Sequence, residues 1–194
     1  MLLWHLNKEE TTVLKVTKLI LPEVLLLEYS IKEDNRGISN RVFSQKEMKD
    51  IGIDTEFVEE ICYYPKAKDT LYGIHFQNHP KTQAKLLYCT KGKMLDFAID
   101  LRKDSETYKD WVCVVLSAEN KRQLYIPAGF GHAALTLEDN TVIVMKIDNY
   151  FDSELSKTIS FKDTELNVDF GILNPILSER DKCAPSLKDS GCNL

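Results

Sequence analysis

The chain has 194 residues, of which 43% are hydrophobic and 28% charged, with a formal net charge of -5. That length suits one domain with a substantial core, expected to span residues 1–194, and so mild a charge argues against a nucleic-acid partner. The longest apolar run falls far below the roughly 18 residues of a membrane span, and the opening MLLWHLNKEE is too short in its apolar part for a signal peptide.

Five cysteines (Cys62, Cys89, Cys113, Cys183 and Cys192) are odd in number, widely spaced and form no C-x-x-C pair. This pattern fits reduced thiols in a cytoplasm and neither a disulfide framework nor a zinc knuckle.

Residues 1–15 read as an N-terminal extension. Val16 to Tyr29 reads as two short strands broken at Pro22, followed by a polar turn over Ile31 to Gly37. Ser44 with Glu47 three residues on is a capping-box signal, and Met48 and Ile51 carry about two helical turns that Gly52 stops.

From Glu56 onward short strands recur at regular spacing: Phe57 to Tyr63, Leu71 to Gln77, Ala84 to Thr90, Lys93 to Leu101, Trp111 to Leu116, Gln123 to Ile126, Ala133 to Leu137 and Thr141 to Asp148. Turn residues separate them, as at Lys91-Gly92 and Pro127-Ala128-Gly129. Many short strands without interleaved helices predict an all-β antiparallel sandwich or jelly roll. Asn174 to Asp181 reads as a loop feeding a short helix, and residues 186–194 as a tail.

The chemistry concentrates in LYGIHFQNHPKTQAKLLYCT, residues 71–90. Alternation places Gly73, His75 and Gln77 on one face of the first strand. The next strand carries Lys85 among Leu86, Leu87 and Tyr88, where an ammonium is costly unless it meets an anion or a polarised oxygen. A histidine and a lysine from neighbouring strands offer a base and an electrophile; a surface histidine and a snorkelling lysine are the alternative.

Five segments, GIHFQ (73–77), QAKLLYCTKG (83–92), DLRKDSETY (100–108), LSAENKRQLYIPAGFGH (116–132) and NPILSERDKCAP (174–185), together with DNRG (34–37), resemble the dTDP-4-dehydrorhamnose 3,5-epimerase family over about residues 16–185. The resemblance implies a cupin-type jelly roll with a few short helices, a homodimer that exchanges strands, and neither metal nor other cofactor. It also implies inversion of carbons beside the 4-keto group of a nucleotide-linked 6-deoxysugar, as in deoxysugar and polysaccharide biosynthesis. A ketone acidifies its α C–H bonds; a base removes a proton, a cation holds the enolate oxygen, and an acid on the opposite face returns a proton.

Carried over by position, the family's base falls on His75, its carboxylate partner on Asp181 and the enolate-stabilising lysine on Lys85. Substrate contacts fall on His132, on Arg36 reaching from the partner subunit, and on Gln77, Tyr72, Met145 and Arg122. Ser178-x-x-Asp181 also reads as a plain capping box, His132 as a turn residue and Arg36 as a solvated turn. A metal cupin built on His75, His79 and His132 is disfavoured by Lys85 beside them.

Four departures stand out, one of them Glu60-Ile61-Cys62 in place of the family's Q-D-N strand. Met145 occupies the place of the family's acid tyrosine, and a thioether donates no proton. Tyr72 replaces an arginine, and Ile38-Ser39-Asn40-Arg41 replaces the run that reads the thymine, leaving Arg41 as a donor. These changes allow a mono-epimerase, a keto-sugar isomerase that exchanges protons without net inversion, or a non-catalytic sugar-nucleotide-binding cupin.

Overall fold

The computed structural model describes residues 14–194, so nearly all of the expected N-terminal extension lies outside the described residues. A six-stranded antiparallel sheet runs in the order β1 (Leu14–Lys18), β2 (Leu25–Tyr29), β10 (Gln123–Ile126), β7 (Lys85–Lys91), β12 (Val142–Ile147) and β5 (Glu59–Tyr63). A five-stranded antiparallel sheet runs β13 (Ser156–Thr158), β6 (Leu71–Gln77), β11 (Phe130–Thr136), β8 (Lys93–Asp100) and β9 (Trp111–Ser117). The hairpin of β3 (Ile31–Asp34) and β4 (Gly37–Asn40) stands apart, and two short helices, α1 (Gln45–Asp50) and α2 (Glu179–Lys182), complete the chain.

Strands adjacent in sequence repeatedly change sheet, β6 to β7 and β9 to β10 among them, which makes the sandwich a cupin-type jelly roll. Leu87, Leu124, Ile143 and Met145 meet Met94, Ala98, Phe130 and Ala134 between the sheets. The outer face of the five-stranded sheet is covered too: Leu71, Ile74, Phe97 and Ile99 pack on Leu166, Phe170 and Leu187. Met48 of α1 and the following Ile53 cover Leu27, Leu86 and Tyr125 on the outer face of the six-stranded sheet. At roughly 1.5–3 kcal/mol for each fully covered Leu, Ile or Phe, these outer layers weigh as much as the central one. With both faces covered, β11 is buried at all seven positions, and its sequence shows an apolar run instead of alternation.

The strand readings hold with shifts of at most three residues at the ends, and Leu71–Gln77 and Gln123–Ile126 match at both ends. Ser44 caps α1, its hydroxyl accepting the Glu47 N–H at 3.3 Å, and Gly52 follows with φ +86°. The expected polar turn at Ile31 to Gly37 is instead most of the β3–β4 hairpin, because its exposed polar residues pair with each other and not with a core. β13 carries too short and polar a segment, SKT, to read as a strand; its pairing with β6 creates it. The last residues are no loose tail: Leu187 is buried, and Asn78 Nδ2 donates to the Gly191 carbonyl at 2.8 Å.

Candidate active site

One end of the gap between the sheets stays open as a cavity of about 490 Å³. His75, Tyr72 and His132 line it from the five-stranded sheet, and Lys85, Met145, Ile61 and Tyr63 from the six-stranded sheet. His75 and Lys85 thus come from consecutive strands that lie in opposite sheets, so the two groups face each other across the cavity.

The alternation expected along β6 is broken. His132 pairs with His75 and Ala134 with Tyr72, so three steps on β6 oppose two on β11. This bulge turns Tyr72 and His75 into the cavity together, in place of Gly73, His75 and Gln77. Gly73 makes it possible: its φ is +108°, and a Cβ there would stand 2.5 Å from the His132 carbonyl oxygen. Gln77 is correspondingly corrected from substrate ligand to brace. Its Nε2 donates to the Lys81 and Tyr150 carbonyls at 2.6 and 3.1 Å, and its Oε1 accepts the Asp152 N–H at 2.9 Å.

His75 Nε2 lies 2.6 Å from Asp181 Oδ1, leaving Nδ1 as the ring nitrogen without a partner among the described residues. Ser178 does two things at once. As the α2 N-cap it accepts the Asp181 N–H at 3.1 Å, and its own O–H donates to Asp181 Oδ2 at 2.9 Å. The capping box and the catalytic reading of Ser178-x-x-Asp181 are therefore one arrangement, in which the cap aims the carboxylate. Burial pushes the Asp181 carboxyl up, but the bond and charge of His75 and the Ser178 hydroxyl outweigh it and hold it below its ordinary range.

A second pair lies alongside. His132 Nε2 sits 2.5 Å from Asp96 Oδ1; Asp96 is fully buried, and its Oδ2 has no partner among the described residues. Sequence reading missed Asp96, although a carboxylate inside the apolar strand MLDFAID, flanked by Leu95 and Phe97, is itself a signal.

Lys85 is buried and has no hydrogen-bond or ion-pair partner among the described residues. Burial brings its ammonium down to about 8, against the attraction of Asp148. Met145 faces the cavity, flanked in register by Ile61 on β5 and Leu87 on β7, with Ile143 and Ile147 on the same face. The departure at 145 therefore lies in the cavity wall and not in the outer layer.

Two expected contacts fall elsewhere, and Arg36, expected at a partner's cavity, lies outside its own. Arg36 sits at the hairpin tip, its side chain 86% exposed and bound to Asp34 at 2.6 Å. Arg122 is drawn to Glu28, with Nε 3.2 Å from Oε1, because β10 pairs beside β2. Arg41 is held by Glu47 at 2.5 Å and is no free donor. Arg180, not singled out from sequence, does line the cavity, beside the Ser156 hydroxyl at 3.1 Å. His79 is not among the lining residues, and no three His, Cys, Asp or Glu side chains converge as a metal site among the described residues.

A jelly roll whose cavity sets carboxylate-held imidazoles against a buried lysine is the architecture of an isomerase that moves protons beside a carbonyl. The family model for dTDP-4-dehydrorhamnose 3,5-epimerase matches residues 18–189. The chain is 38% identical to the dTDP-4-dehydrorhamnose 3,5-epimerase of Shigella flexneri over 169 residues, 87% of this chain and 93% of that protein. It is similar to the crystal structure of the Bacillus anthracis dTDP-4-dehydrorhamnose 3,5-epimerase with TDP and PPi bound, with TM-score 0.87 and 34% identity over 90% of this chain and 99% of the other. It also resembles ChmJ, a 3'-monoepimerase from Streptomyces bikiniensis in complex with dTDP-quinovose, with TM-score 0.81 and 28% identity over 88% and 87% of the two chains. This chain belongs to the dTDP-4-dehydrorhamnose 3,5-epimerase family.

Proposed function

We propose that the chain epimerises a nucleotide-linked 4-keto-6-deoxysugar at C3, C5 or both, through an enolate. The observation that carries this reading is the His75–Asp181 pair at 2.6 Å, opening on a cavity that Lys85 closes from the other sheet. With Nε2–H donated to Asp181, His75 Nδ1 is the basic nitrogen and takes a proton from the carbon beside the ketone. The C–H electron pair moves toward the carbonyl, and the Lys85 ammonium stabilises the oxygen as it gains charge. Return of a proton from the opposite face gives the inverted sugar. The ketone supplies the acidity, so the chemistry itself calls for no cofactor.

Arg180 and the Ser156 hydroxyl give the cavity a cationic edge suited to a diphosphate, while Tyr72 stands where the family carries an arginine. Among the described residues the strands of the β3–β4 hairpin pair only with each other, and the hairpin exposes Ile31 and Ile38. This supports a homodimer in which the hairpin docks on a second copy and carries Arg36 toward that copy's cavity. Place of work is the cytoplasm, in deoxysugar supply for surface polysaccharide.

Met145 supports a second reading, a relative that exchanges or inverts at one carbon only, because the wall facing His75 is apolar at its centre. Incubation in D2O with dTDP-4-keto-6-deoxyglucose and NMR at each carbon tests both. Exchange at C3 or C5 that Asp181→Asn slows supports the proposal; no exchange on dTDP, UDP, CDP or GDP sugars overturns it and leaves a binding protein.

A further inference from the structure

We infer that Tyr63 is the proton donor on the face opposite His75, in place of the phenol that Met145 has removed. The inference rests on the epimerase reading and assigns a step which that reading leaves without a residue. Inversion requires the base and the donor on opposite sides of the sugar. The imidazoles come from β6 and β11, so the donor must come from the six-stranded sheet. The centre of that wall, Ile61, Met145 and Leu87 in register across β5, β12 and β7, carries no transferable proton at all.

Beyond this apolar centre the wall offers few candidates. Lys85 lies one inward-facing step from Leu87, on one side; Tyr63 lies one such step from Ile61, on the other. Glu59 also faces the cavity, but as a carboxylate it accepts protons. If Lys85 holds the ketone oxygen, it is engaged throughout the enolate's life. Tyr63 is left, and diagonal neighbours on paired strands stand about 7–8 Å apart, within reach of a tyrosine side chain.

The phenol is free for the task. Tyr63 Oη has no hydrogen-bond partner among the described residues, and the ring is fixed edge-on to Tyr72 with centroids 5.5 Å apart. Burial, then the neighbouring Tyr72 and Glu59, push the phenol up, so it carries its proton at neutral pH. Tyr72 lies on β6 beside the base and would return a proton to the face it left. Tyr64 is 70% exposed and is absent from the cavity lining.

The step balances without a further reagent. The sugar proton passes to His75 Nδ1, and its bonding pair becomes the enolate π bond. That pair then takes the Tyr63 proton from the other side, leaving a phenolate and an imidazolium, which reset by proton exchange with water.

The test uses the full chain with dTDP-4-keto-6-deoxyglucose in D2O, following deuterium uptake and product configuration by NMR. Tyr63→Phe should keep uptake within about twofold of wild type but slow inversion by roughly 10²-fold or more, the weight of a general acid. Met145→Tyr added to Tyr63→Phe should restore inversion, which also shows that the variant folds. Inversion by Tyr63→Phe at the wild-type rate overturns the assignment, as does a loss caused equally by Tyr72→Phe. A wild type that takes up no deuterium defeats the epimerase reading itself and this assignment with it.

Discussion

His75 and His132 are direct partners in the β6–β11 ladder, and each imidazole is tied through Nε2 to a different carboxylate. The two rings form one basic floor to the cavity, but their supports differ. Asp181 comes from α2 and takes a second bond from Ser178, whereas Asp96 comes from β8 and keeps one oxygen without a partner among the described residues.

Those supports set the first expectation. His75→Ala should abolish deuterium uptake, a loss of roughly 10²–10⁴-fold, with the far-ultraviolet circular dichroism unchanged. Asp181→Asn should slow the same step by mis-setting the tautomer, and Ser178→Ala should slow it less, by loosening the carboxylate. Uptake at the parent rate in both His75→Ala and Asp181→Asn would show that another base acts.

Lys85 sets a pH dependence. Its charged form serves the enolate, and burial has brought it from an ordinary 10.5 to about 8, so activity should fall as pH rises past about 8. The stability consequence has the opposite sense. Between about 8 and 10.5 the unfolded chain binds more protons at this site, so this group's contribution to stability rises with pH across that window and is lost as pH falls through 8. Lys85→Met should therefore be inactive yet more stable at pH 7, by roughly 1–3 kcal/mol in urea denaturation, with a smaller gain at pH 10.

Met145→Tyr places a phenol at the middle of the apolar wall, between Ile61 and Leu87. In the wild-type background it should speed inversion or extend it to a second carbon. A wild-type product already inverted fast at both carbons, and unaltered in the variant, would show that this wall position does not limit the reaction.

Asp100 tests the scaffold apart from the chemistry. Fully buried, it accepts from Arg102, Ser105 and Thr107 at 2.6–2.9 Å, and although burial pushes its carboxyl up, these bonds bring it down to about 2. A folded value below the unfolded one stabilises above the unfolded value and loses that contribution as pH falls toward 2. Asp100→Asn should cost about 2–3 kcal/mol at pH 7, read from urea midpoints, and the variant's stability should depend less on pH between 4 and 2.

Much of this was written in the chain order. The jelly roll follows from short apolar strands punctuated by turn residues, because local backbone preference and side-chain burial act within a few residues. His75 and Lys85 could be picked out from their segments and Asp181 and Met145 from the resemblance, and Met145 faces the cavity with Ile143 and Ile147 because β12 is regular over those residues. What stayed hidden depends on neighbours distant in sequence. The β6 bulge exists only against β11, so the sequence puts Gln77 on the cavity face while the fold puts Tyr72 there. Asp96 gains meaning only when β8 is laid beside His132, and Arg180 only when α2 closes on β13. That His75 and Lys85 oppose each other was settled by the chain changing sheets between β6 and β7, a choice made by packing two covered layers and not by any residue between them.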